Sequence, residues 1–86
     1  LSLAESCTGG WISQSVTAVS GSSRWFDRGF VTYSNQAKED MLGVSSATLL
    51  HYGAVSEETV AEMLNGVLQH SRADVAVAVS GVAGPT

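Results

Sequence analysis

The 86 residues include only one cysteine, one proline and four lysines and arginines. A lone cysteine cannot close an internal disulfide or build a multi-cysteine zinc site, so a reducing, cytoplasmic setting is expected rather than a secreted one. Four scattered basic residues against eight acidic ones leave a formal charge of −4, which argues against a groove that tracks nucleic-acid phosphates. No apolar run approaches the ~20 residues that span a bilayer, and no leader pattern opens the chain. Nucleic acid and membrane are therefore not expected as partners. Two histidines, His51 and His70, without clustered carboxylates give a poor signal for a metal.

The chain is long enough for one small domain, of a size that buries only roughly 60–65% of its unfolded surface. A core this thin leads to an expectation of self-association. Leu1 opens inside an apolar run and Thr86 closes inside a Gly/Pro loop. Residues 1–86 are accordingly read as the N-terminal part of one domain, cut at both ends.

Residues 1–4 form a short apolar run that suits the end of a buried strand, and residues 5–10 (Glu-Ser-Cys-Thr-Gly-Gly) form a turn. Ile12, Val16 and Val19 then follow helical spacing. Residues 29–34 are rich in β-branched and aromatic side chains and predict a second strand. Asn35 is placed as the N-cap of a short helix running to Leu42 and ended by Gly43. Residues 45–52 suggest a further short helix closed by Gly53. Ser56 caps the clearest helix, with Glu57 and Glu58 in its first turn and Val60, Met63, Leu64, Val67 and Leu68 as its buried stripe. The run Asp-Val-Ala-Val-Ala-Val-Ser at 74–80 predicts a strand covered on both faces, as in a largely parallel sheet. Alternating strands and helices give an α/β architecture.

Ligands of open α/β sheets sit beyond the carboxyl ends of the strands. Ser6 follows the first predicted strand. Tyr33 and Lys38 end or follow the second, and Ser80 with Gly81 and Gly84 follows the third. If the strands are parallel, these residues share one rim. A serine at a strand-to-helix turn can present its hydroxyl there, with the helix N–H groups near Thr8, Gly9 and Gly10 available to an anion or a developing oxyanion. Equally, Ser6 or Thr8 can simply cap the helix. As a nucleophile Ser6 needs a base. Lys38 serves if burial lowers its pKa, and Tyr33 can relay the proton or orient the pair. Which of the two is the base stays open at this point. Cys7 is a rival nucleophile or a small buried filler, and a Ser–His arrangement using His51 or His70 is a weaker alternative. Trp25 and Phe26 suit either stacking on a base or packing at the sheet edge.

Four segments, Ala4-Glu5-Ser6-Cys7-Thr8-Gly9-Gly10, Gly29-Phe30-Val31-Thr32-Tyr33-Ser34-Asn35, Gly53-Ala54-Val55-Ser56-Glu57 and Ser80-Gly81-Val82-Ala83-Gly84-Pro85, occur in that order. Together they resemble the CinA C-terminal domain family, the competence/damage-inducible or nicotinamide-nucleotide amidase type, over essentially the whole chain. The resemblance implies a three-layer α/β/α sandwich with a mostly parallel, mixed sheet. It also implies a cytoplasmic bacterial enzyme that converts nicotinamide mononucleotide to the nicotinate form plus ammonia, with no metal or organic cofactor. Ser6 matches the family nucleophile, Lys38 its catalytic lysine and Tyr33 an active-site tyrosine. Ser80 stands where many relatives carry threonine. Thr8, Gly9, Gly10, Ser80, Gly81 and Gly84 are the expected substrate contacts. Family domains run to roughly twice this length, and the later half adds an arginine for the substrate phosphate. The competing reading is a non-catalytic pyridine-nucleotide-binding or competence-associated interaction module, which would need only the glycine loops.

Overall fold

The computed structural model describes residues 1–81. Three parallel strands, β1 (Ser2–Glu5), β2 (Arg28–Val31) and β3 (Ala76–Val79), form one sheet in the order β2-β1-β3. Ala4 of β1 stands opposite Phe30 on one side and Ala78 on the other. Four helices accompany the strands: α1 (Trp11–Thr17), α2 (Asn35–Leu42), α3 (Ser46–Tyr52) and α4 (Glu57–His70). The α/β class expected from the sequence is what the chain adopts.

Strand alternation divides the molecule into two faces. Ala4 packs with Met63 and Val67 of α4, Leu42 of α2, Val44 and Leu49, and Phe30, Ala76 and Ala78 close in on this core. Glu5, the next residue along β1, faces the other way, and its carboxylate meets the first turn of α1. Thus α1 lies on one face of the sheet and α4 with α2 on the other, and β1 is buried along its whole length.

Local signals explain the helices. The Ser34 hydroxyl accepts from the Ala37 N–H, so the N-cap of α2 is Ser34 and not Asn35; Gly43 ends the helix in the left-handed region at φ 69°. Ser45 and Ser56 cap α3 and α4 in the same way.

Two further expectations, on α4 and β3, differ from the structure. The buried stripe of α4 is Thr59, Met63, Gly66 and Val67, whereas Val60 and Leu64 are half-buried and Leu68 is exposed. The helix is turned by its closest approach, which falls at Gly66: a Cβ there would overlap the Leu42 carbonyl of α2. Strand β3 is not covered on both faces among the described residues. Ala76 and Ala78 join the core under α4, but Val77 on the other face is 44% exposed, because α1 lies over β1 and no described helix lies over that face of β3.

Candidate active site

Chain direction creates the crevice. The connection leaving β1 goes to α1 on one face and the connection leaving β2 goes to α2 on the other. The carboxyl ends of β1 and β2 are thereby left open between diverging loops, the place where open α/β sheets bind ligands. Ser6 follows β1 and is buried; its N–H donates to the Val79 carbonyl of β3 at 3.1 Å. Thr32, directly after β2, donates its N–H to the Glu5 carbonyl at 2.8 Å, which locks the two strand ends together.

Lys38 points into this crevice from the first turns of α2. Its side chain is 1% exposed, and Nζ lies 3.0 Å from Ser6 Oγ, 2.9 Å from the Thr32 carbonyl and 3.5 Å from the Tyr33 carbonyl. No carboxylate pairs with it among the described residues, where the single ion pair joins Arg28 to Asp27. Burial therefore pushes the Lys38 ammonium below its ordinary 10.5, with the neighbouring Cys7 pulling weakly the other way. A neutral amine has two N–H donors and one lone pair. In the structure Nζ donates to Ser6 Oγ and to the two carbonyls; loss of its proton would leave a lone pair facing the Ser6 hydroxyl.

On the opposite face, Glu5 is as buried as Lys38 but differently served. Oε1 accepts from the Thr8 hydroxyl (2.7 Å) and the Ile12 N–H (2.8 Å), and Oε2 accepts from the Ser13 N–H (2.8 Å) and hydroxyl (2.6 Å). Burial alone would raise its pKa, but these four donors outweigh it and hold the carboxyl at about 2. The N-terminus of α1 is thus satisfied by Glu5. The N-cap itself is Gly10, which has no side chain to offer, so neither Ser6 nor Thr8 caps the helix.

The turn between them is shaped by Gly9 at φ 62° and Gly10 at φ 108°, a left-handed pair that other side chains rarely adopt. The Gly9 N–H is taken by the Ser6 carbonyl. The N–H groups of Cys7, Thr8 and Gly10 have no partner among the described residues.

The remaining candidates fall into place around this pair. Ser80 follows β3 on the same rim, with its hydroxyl donating to the Ala54 carbonyl at 2.7 Å. Gly81 lies beside Cys7, and a Cβ on it would come within 3.5 Å of the thiol sulfur. Gly84 lies outside the described residues. Tyr33 offers its carbonyl to Lys38, while its side chain is 72% exposed. Lys38 and Ser6 meet directly, without a phenol between them. His51 stacks edge-on against Tyr52, and His70 engages the Gly66 carbonyl, so neither histidine hydrogen-bonds Ser6. Trp25 and Phe26 sit at the far end of the sheet, where the next residue, Asp27, donates its N–H to the Leu1 carbonyl. Among the described residues no group of three or more metal-ligating side chains converges, and no helix is long and apolar enough to cross a membrane.

Two contributors carry almost no mark in the sequence pattern. By pattern alone Glu5 belongs only to a turn. Thr32 reads as one more strand residue, yet its carbonyl holds Lys38 and its buried hydroxyl has no partner among the described residues. The only trace of Glu5 in the sequence is an acidic residue closing an apolar strand just ahead of a glycine pair.

The CinA C-terminal domain model matches residues 1–86. A nicotinamide-nucleotide amidohydrolase PncC of Enterobacter agglomerans is 66% identical over 82 residues, covering 95% of this chain and 50% of its own. The protein of the same name from Escherichia coli is 60% identical over the same length. The crystal structure of the competence/damage inducible protein CihA from Agrobacterium tumefaciens superposes with a TM-score of 0.96 at 58% identity, covering 99% of this chain and 52% of that one. The chain thus spans about half the length of the relatives it matches. With a family model over its whole length and a solved relative superposing at a TM-score of 0.96, the chain belongs to the CinA C-terminal domain family.

Proposed function

We propose that this chain supplies the nucleophile and base of a nicotinamide mononucleotide amidohydrolase. The observation that carries the reading is the buried Lys38 amine 3.0 Å from Ser6 Oγ, with no carboxylate paired to it among the described residues. The amidohydrolase name of its relatives supports the choice of substrate.

Neutral Lys38 takes the Ser6 proton as Oγ attacks the carboxamide carbon of the bound nucleotide. The tetrahedral oxyanion is received by the open N–H groups of the Cys7–Gly10 turn, where loss of a single donor typically costs ~10²–10³ in rate. The protonated Lys38 then gives its proton to the departing nitrogen, and ammonia leaves with an acyl group on Ser6. Water attacks that ester with Lys38 again as base, Ser6 recovers its proton, and the nicotinate nucleotide departs. No metal or organic cofactor enters. The proton moves directly between Ser6 and Lys38. The exposed Tyr33 phenol is assigned to the substrate side of the crevice, and Ser80, Gly81 and Gly84 to the ribose or phosphate. The partner we propose is the free nucleotide in a cytoplasmic setting, with a second copy of the chain rather than nucleic acid or membrane as its macromolecular neighbour.

The test is ammonia release from nicotinamide mononucleotide by the protein at the full length of its relatives, beside its Ser6→Ala variant. Release that disappears in the variant supports the serine amidase. A folded wild type that binds the nucleotide without releasing ammonia supports the binding module instead.

A further inference from the structure

The geometry points to Glu5 as a positioning residue that fixes the turn carrying the nucleophile and its oxyanion donors, an inference that rests on the amidohydrolase reading above. Three observations lead there. First, Glu5 immediately precedes Ser6 at the end of a buried strand. Strand alternation therefore sends its side chain to α1 while Ser6 faces Lys38. Second, its two oxygens reach both ends of the intervening turn: Thr8 within it, and Ile12 and Ser13 beyond it. Cys7, Thr8 and Gly10, whose N–H groups have no partner among the described residues, all lie inside the span that this carboxylate closes. Third, α1 buries none of its own residues fully, so its placement on the sheet leans on these bonds.

Proton transfer is not the task of Glu5. Both oxygens are filled by donors, and a carboxyl held at about 2 stays ionised at neutral pH. Nor does a simple helix cap account for the Thr8 bond, which ties down the turn and not the helix. A glutamine in its place would keep the shape but turn an amide N–H₂ toward one of the donor pairs, either Thr8 with Ile12 or Ser13 with its own N–H. One end of the turn would then be released.

Glu5→Gln and, as a milder change that keeps the carboxylate, Ser13→Ala are to be made in the full-length protein. Three quantities are read: kcat and KM for ammonia release, the fraction of Ser6 sites that titrate with a serine-directed covalent probe, and hydrogen exchange along residues 7–13. Because misplacement by ~1 Å costs about a hundredfold, Glu5→Gln is expected to lose about a hundredfold in kcat per titrated site with KM held within about threefold. Ser13→Ala should lose less in kcat, and exchange should quicken from Thr8 to Ser13 in both variants. An unchanged kcat per titrated site in folded Glu5→Gln overturns the proposal, since a merely structural role lowers only the number of sites. If the wild type releases no ammonia, or Ser6→Ala still does, the amidase reading has failed by itself. Exchange then judges Glu5 alone, and an unaltered turn in both variants overturns its role.

Discussion

Glu5 and Lys38 are each 1% exposed at the carboxyl end of the same strand, one serving each face of the sheet, yet the structure treats their charges in opposite ways. Glu5 receives four hydrogen-bond donors and keeps its charge. Lys38 has two carbonyls, one hydroxyl and, among the described residues, no carboxylate beside it, and burial lowers its pKa. A buried charge whose hydrogen bonds outweigh the cost of burial serves structure, whereas one whose burial outweighs its hydrogen bonds is poised to exchange a proton. Burial alone does not separate the two roles; the inventory of partners does.

The contrast can be broken first on the Lys38 side. Replacing Lys38 with Ala should lower ammonia release by about a thousandfold, the usual scale for a lost general base. Activity within about tenfold of wild type would remove lysine from the mechanism. Titration in acid probes the Glu5 side. Its carboxyl is held at about 2 against an ordinary 4.5, so it stabilises the fold above pH 4.5, and that stability is lost as pH falls toward 2. The loss should amount to roughly 3 kcal/mol, at about 1.4 kcal/mol per unit. Urea unfolding at stepped pH should show this loss in the wild type and little of it in Glu5→Gln.

A third change tests how the core sets the position of the base. Gly66→Ala forces a Cβ against the Leu42 carbonyl, one turn beyond Lys38 on α2. It should lower stability by about 2 kcal/mol, as overpacking usually does, and lower kcat as well because α2 must shift. A melting curve and a turnover assay on the same sample check both. The smallest effect is expected at Ser80→Ala, which removes the bond to the Ala54 carbonyl. It should cost about 1 kcal/mol in urea unfolding and raise KM more than it lowers kcat.

The rim was legible in the sequence for a simple reason. Apolar runs fixed three strands, intervening helices made them parallel, and parallel strands put Ser6, Lys38 and Ser80 at one end. What pattern could not supply was the local direction of each side chain. Tyr33 and Lys38 both follow β2, yet Tyr33 turns its phenol outward while Lys38 turns inward, because α2 is entered through the Ser34 cap. Glu5 stayed hidden because two of its four partners are backbone N–H groups, which every non-proline residue owns and no sequence displays. The stripe of α4 was misplaced because Gly66 packs most closely without a side chain to mark it. The covering of β3 was overread because a run of small apolar residues reports what a strand tolerates, not how many layers surround it.

The account stands on a lysine that is neutral beside a serine, and the most direct measurement is the titration of Lys38 Nζ by nitrogen-detected magnetic resonance in the folded, full-length protein. The expected midpoint lies below the ordinary 10.5, and it stays low in Ser6→Ala, because burial sets it and the hydroxyl does not. A midpoint at or above 10.5 would leave Lys38 charged at working pH and contradict its assignment as the base.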